Sequence, residues 1–158
     1  HLDHISDLDD LDKHFYINLF TTPNDLSKGR ESYKNINWDL VDDADSKEVK
    51  KIKEVYKGRN LPLRVCDPSR MTISYIYPSD VENDTTLKNE SYTNNVSIAL
   101  YIHSGYKIFF AADIQKEGMK KLLEDNPELE KKLGQGVDFL VCPHHGLRLH
   151  SAQNFLVL

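Results

Sequence analysis

Three short segments of this chain carry side chains suited to holding a divalent cation, and each stands where an apolar run gives out. They are His1-Leu2-Asp3-His4, Asp113 at the end of Ile108–Ala112, and His144-His145-Gly146 after Val137–Cys142. A neutral imidazole offers a lone pair, and a carboxylate can bridge two cations about 3.5–4 Å apart while offsetting their charge, so this donor set suits zinc or manganese. Loops beyond strand ends are where a rigid scaffold presents reactive groups, and separate segments can converge there. Taken singly, the pieces also have ordinary readings: Asp3 can cap a following helix, and Asp113 can cap a helix over Gln115–Glu124. The adjacent histidines are a sharper signal, because Gly146 beside them admits close backbone approach. Of the other histidines, His14 falls late in a helix, where a cation is favoured. His103 flanks an exposed turn, and His150 is a candidate substrate contact in the loop after the paired histidines.

The elements that must position these groups follow from periodicity. Ile5, Leu8, Leu11 and Phe15 recur at helical spacing, and Phe15–Phe20 reads as a strand. Thr21–Asp45 mixes Pro, Asn, Asp, Ser and Gly with scattered aromatics and reads as an insertion or lid. Ser46 is placed to cap a helix over Lys47–Tyr56, whose lysines form a solvated face, with Gly58 as its stop. Met71–Tyr77 is β-branched and aromatic, closes at Pro78, and leads into a polar loop over Ser79–Thr93. Val96–Ile102 and Tyr106–Ala111 form a hairpin around Ser104–Gly105, the second run being apolar enough for a buried central strand. A helix over Gln115–Glu124, another from Pro127 to Lys132, a turn at Gly134–Gly136 and a strand over Val137–Cys142 complete an α/β (α+β) domain.

Composition narrows the class. The chain of 158 residues fits one domain, and its 20 Lys and Arg against 25 Asp and Glu leave a net charge of −5, with no basic face to attract nucleic acid. Cys66 and Cys142 lack CxxC spacing and read as buried reduced thiols, which suits a cytoplasmic protein. No apolar stretch approaches the ~20 residues that span a bilayer. The start on a metal-type motif and the apolar end Asn154–Leu158 read as an excerpt of a longer protein.

In this order the segments resemble the metallo-β-lactamase superfamily, whose signature runs HxHxDH, a middle ligand, a strand-end Asp and a late His. The likeness is closest to the hydrolase domain of the ComEC competence proteins and their soluble relatives. Those show a strand ending in Pro, a polar loop, NNxS before a hairpin, GD at its end, and HHG one helix and one strand later. The counterparts here are Tyr75-Ile76-Tyr77-Pro78, Asn94-Asn95-Val96-Ser97, Ala112-Asp113 and His144-His145-Gly146. The likeness covers about Met71–Phe155 and the first dozen residues. Ala112 stands where a Gly usually precedes the Asp, and the signature's first His would lie two positions before residue 1.

The resemblance implies a four-layer αββα sandwich, present here as a single partial domain over residues 1–158, incomplete at both termini. It implies that His1 binds one metal, Asp3 and His4 the second, and that Asp113 bridges both. His144 would complete a metal shell, leaving His145 to donate to a substrate oxyanion or act as a general acid. Asn94 or Asn95 stands where other members carry a middle His, and so would face substrate or support the ligands. The expected function is a hydrolase using a hydroxide bridged by two divalent ions and oriented by Asp3 and Asp113, most simply a phosphodiesterase or nuclease. Alternatives are a hydrolase of small esters, lactones or thioesters, and a degenerate binding module. The implied partners are nucleic acid or another phosphodiester, together with further domains or partner proteins of the parent protein.

Overall fold

The structure is a computed structural model, which describes residue 11 and residues 13–14, 22–24, 36–56 and 67–146. Its centre is a four-stranded mixed sheet, β1 (Met71–Ser74), β2 (Ala99–Ser104), β3 (Tyr106–Phe110) and β4 (Phe139–Val141), in that spatial order. β2 runs antiparallel to both β1 and β3, whereas β4 lies parallel to β3. Five helices are described: α1 (Lys47–Tyr56), α2 (Pro78–Asn83), α3 (Thr85–Asn95), α4 (Lys116–Asp125) and α5 (Pro127–Gly134). The domain is thus α+β, and no described helix is long and apolar enough to cross a membrane.

Local chemistry explains most of these elements. Ser46 caps α1 as expected, its Oγ accepting from the Val49 N–H at 3.1 Å. Gly105 takes φ +82° between the register partners Ser104 and Tyr106, which lets the hairpin close without a Cβ clash. β4 can be parallel to β3 because α4 and α5 supply the crossover that a parallel connection needs. Leu11, Lys13 and His14 have helical backbone, in keeping with the expected first helix, while the strand expected over residues 15–20 lies outside the described residues.

The polar loop expected over residues 79–93 is instead the two helices α2 and α3. Pro78 occupies the first turn of α2, and Asp84 caps α3 by accepting from the Thr86 and Leu87 N–H groups at 2.8 and 3.1 Å. Their apolar content is sparse, and Val81, Leu87 and Tyr92 alone carry them into the core, so periodicity gives no warning. Ser91, with φ −179° and ψ 114°, breaks α3 and sends its last turn in a new direction.

Residues 36–42 dock onto these helices. Tyr92 Oη accepts from the Asn37 N–H at 2.7 Å, Thr93 Oγ1 accepts from the Asp42 N–H at 2.7 Å, and Ile36, Leu40 and Val41 pack against the core. That part of the expected lid is therefore attached to the body of the domain.

The two faces of the sheet differ. Ala99, Tyr101 and Phe109 point into a core shared with Val81, Leu87, Met119, Leu122 and Leu129 of the helices. The register places Met71, Ile73, Leu100, Ile102, Ile108, Phe110, Phe139 and Val141 on the opposite face. That face is apolar across all four strands and partly open, with Tyr106 62%, Phe139 55% and Val141 46% exposed. β3 is accordingly central but not buried on both sides, contrary to the expectation. Its sequence, apolar except at Lys107, reflects two apolar faces, of which the described helices cover one. Cys142 also departs from the sequence reading: it is a free thiol but exposed, because it follows the short, open strand β4.

Candidate functional site

Parallel pairing carries β3 and β4 in the same direction, so their C-terminal ends finish side by side. The last register pair is Phe110 with Val141. Beyond it the two chains stay joined, the His144 N–H donating to the Ala112 carbonyl at 2.9 Å. Asp113 follows Ala112 directly, so this hydrogen bond brings the strand-end carboxylate segment and the late histidine segment together. The other end of β4 is held too: the Lys107 N–H donates to Asp138 Oδ2 at 2.7 Å, and the Asp138 N–H returns to the Lys107 carbonyl at 2.8 Å. A strand of three residues is thereby fixed at both ends.

Both residues of the junction have left-handed backbone, Ala112 at φ +51° and His144 at φ +48°. This region costs an L-residue other than glycine roughly 1–2 kcal/mol. Ala112 therefore holds a conformation that glycine takes freely, and it stores strain to do so. Asp113 is buried, 7% exposed, while His144 is half-buried with its Nδ1 shielded from solvent. His145 and Gly146 continue into a 3-10 turn over Pro143–Gly146.

Asp113 is followed by α4, but α4 is capped from elsewhere. Its N-cap residue Gln115 makes no side-chain capping bond. Instead the Gln115 N–H donates to Asn95 Oδ1 at 3.2 Å, and the Glu117 and Gly118 N–H groups donate to the Glu90 carboxylate at 3.2 and 3.3 Å. The negative end of this cap sits at the positive pole of the helix, as the macrodipole favours. Asn95 is fully buried, and its Nδ2 donates to the Leu87 carbonyl at 2.9 Å and to Glu90 Oε2 at 3.1 Å. The Asn95 amide, expected to face substrate or support the ligands, is thus committed to bonds within the protein. Asn94 is likewise buried, its N–H donating to Ser91 Oγ at 3.2 Å.

The structure thus brings Asp113 and His144 to one place and puts Asn95 behind them. His1, Asp3, His4 and His150 lie outside the described residues, and for His145 only the backbone is described. Among the described residues, no group of three or more His, Cys, Asp or Glu side chains forms a metal cluster. Glu90 and Gly118 escaped the sequence reading. A lone glycine inside an otherwise regular helix was the available signal, since it marks close approach of another group. No family model, curated protein or solved structure matches the chain.

Proposed function

We propose that this chain is a metal-dependent hydrolase of the metallo-β-lactamase fold, acting on phosphodiesters, nucleic acid among them. The observation that carries this reading is the Ala112–His144 junction: two left-handed non-glycine residues, hydrogen-bonded at adjacent strand ends, each at or beside a metal-type side chain. Backbone strain of this kind persists where the surroundings enforce it, and it concentrates at ligand-binding and catalytic positions. The donor chemistry fits, because a carboxylate and an imidazole at one site suit zinc or manganese.

In this reading Asp113 and His144 hold divalent cations together with His1, Asp3 and His4. Two such ions, when bound, lower the pKa of water and offset the charge that builds on the attacked group. The chain's own contribution is placement: burial of Asp113 keeps its carboxylate at the strand end, and the hydrogen bond across the junction fixes the spacing of the two segments. His145 would donate a proton or hydrogen bond to the substrate oxyanion.

The open apolar face of the sheet supports the four-layer arrangement, since a sheet with one face against helices and the other apolar is what a second sheet would pack upon. A cytoplasmic setting belongs to the same reading, and the free Cys142 thiol suits a reducing compartment.

The test is metal content and turnover on the full chain. After loading with manganese or zinc, the protein is assayed against single-stranded DNA, bis-p-nitrophenyl phosphate and a panel of lactones. Phosphodiester cleavage that falls by roughly 10²-fold or more in Asp113→Asn and His144→Ala is expected. Intact phosphodiesters alongside cleaved lactones would replace the substrate class. A wild-type protein that retains no metal would refute the metal site.

A further inference from the structure

We propose that Asn95 is a positioning residue that sets the backbone presenting Asp113, an inference that rests on the metal-site reading above. Asp113 lies in a short turn between the end of β3 and the start of α4, and this turn has an anchor on each side. On the β3 side, the Ala112 carbonyl accepts from the His144 N–H at 2.9 Å. Towards α4, the Gln115 N–H donates to Asn95 Oδ1 at 3.2 Å, a contact that spans 20 residues of sequence.

Asn95 is suited to act as a fixed post. Its side chain is fully buried, and its other amide end is held by the Leu87 carbonyl at 2.9 Å and Glu90 Oε2 at 3.1 Å. Gly118 packs so closely that a Cβ there would fall 2.0 Å from Asn95 Oδ1, so the oxygen has no room to drift. The turn carrying Asp113 is therefore referred to α3 through one side chain.

Glu90 makes the inference separable from general stability. Its carboxylate accepts from the Glu117 and Gly118 N–H groups, within the first turn of α4 and beyond the turn that presents Asp113. Asn95 acts on the presenting turn directly, whereas Glu90 acts on the helix behind it and touches Asn95 only at Nδ2, which the Leu87 carbonyl also holds. Both variants should weaken the fold, but only loss of the Asn95 oxygen should release Ala112 from its left-handed backbone.

The experiment compares Asn95→Ala with Glu90→Gln on the full chain, using three readouts. These are urea unfolding, the HN–Hα coupling of Ala112 with amide exchange at Asp113 and Ile114, and a titration with Mn2+ alone. Expected for Asn95→Ala are a coupling that leaves the left-handed range, faster exchange at both amides, and Mn2+ binding weakened roughly 10–100-fold, the usual effect of losing a group that orients a ligand. For Glu90→Gln the coupling stays at its wild-type value and Mn2+ affinity stays within about twofold, whatever the loss of stability. An Asn95→Ala protein with wild-type coupling and exchange overturns the proposal. So does a loss of Mn2+ affinity that merely tracks stability in both variants. If the wild type itself takes up no Mn2+, the metal site fails, while the metal-free coupling still decides what Asn95 does. Should Asn95→Ala not fold, Asn95→Asp carries the comparison, because it retains an oxygen for the Gln115 N–H. Left-handed coupling kept in that variant supports the positioning role, and its loss refutes it.

Discussion

Replacing glycine by alanine inside a helix ordinarily stabilises a protein by about 1 kcal/mol, because alanine loses less backbone freedom on folding. Gly118, in α4, should reverse that sign. A Cβ at this position would lie 2.0 Å from Asn95 Oδ1, 2.7 Å from its Cγ and 3.1 Å from Ile114 Cγ2, whereas ordinary contact begins near 3.4 Å. The amide would have to retreat by more than an ångström, yet it is enclosed and already bonded to Leu87, Glu90 and Gln115. Moving it leaves buried polar groups unsatisfied, at about 1–3 kcal/mol each. Two such losses set against the helical gain give a net destabilisation of roughly 1–5 kcal/mol. For a chain of this length that is a fall in Tm of roughly 2–20 °C. Urea unfolding followed by the fluorescence of Trp38, the sole tryptophan, measures it. Gly134→Ala is the control, since its Cβ would meet nothing within 4 Å. It should be neutral or mildly stabilising. The double variant Asn95→Ala/Gly118→Ala supplies the sharper check: with the amide gone, the alanine at 118 fits, so the two changes should be non-additive by about 2 kcal/mol. A Gly118→Ala protein more stable than wild type, or strict additivity in the double variant, would refute the reasoning.

Two further outcomes follow from the backbone and from burial. Ala112→Gly should raise stability by about 0.5–1 kcal/mol in urea unfolding, because relief of the left-handed strain outweighs the added freedom of the unfolded chain; a loss of stability would count against strain at the junction. Burial first, and Asp138 second, hold the Tyr101 hydroxyl above the usual tyrosine range, so the folded protein keeps a proton that the unfolded chain gives up. This contribution is complete below the unfolded value of about 10 and is lost as pH rises through the folded one. Tyr101→Phe should therefore flatten the decline in stability above about pH 10, and an unchanged slope would exclude Tyr101 as a cause.

Legibility in the sequence followed the range of the interaction. Ser46 capping α1 and Gly105 turning the hairpin are local events, and residue type announces both of them. α2 and α3 went unseen because Pro78 and Asp84 define their starts while only Val81, Leu87 and Tyr92 reach the core, too few for a helical period. The open face of the sheet was hidden for the opposite reason, since Tyr106–Phe110 is apolar at nearly every position and gives no alternation to read. At the site, the residue types of Asp113 and His144 were visible, but their adjacency depends on β4 pairing parallel to β3. Asn95 was expected to face substrate or support the ligands, but its bond to α4 and the role of Glu90 lay beyond reach, because each acts on N–H groups 20 or more residues away.

The briefest strand of the sheet has the largest say in when the two halves of the junction exist together. β2 and β3 form a hairpin and can zip up on local contacts, but β4 must wait until two helices have been laid down behind it, as β2 must for its pairing with β1. With three residues and an outward surface, it buries less than the other strands, and the bonds at its two ends are what hold it against peeling away. Each such excursion parts His144 from Ala112 while leaving the rest of the molecule standing. Anything that grips both sides of that seam must therefore slow the peeling, and amide exchange along Phe139–Val141 would serve as a gauge of occupancy that needs no turnover at all.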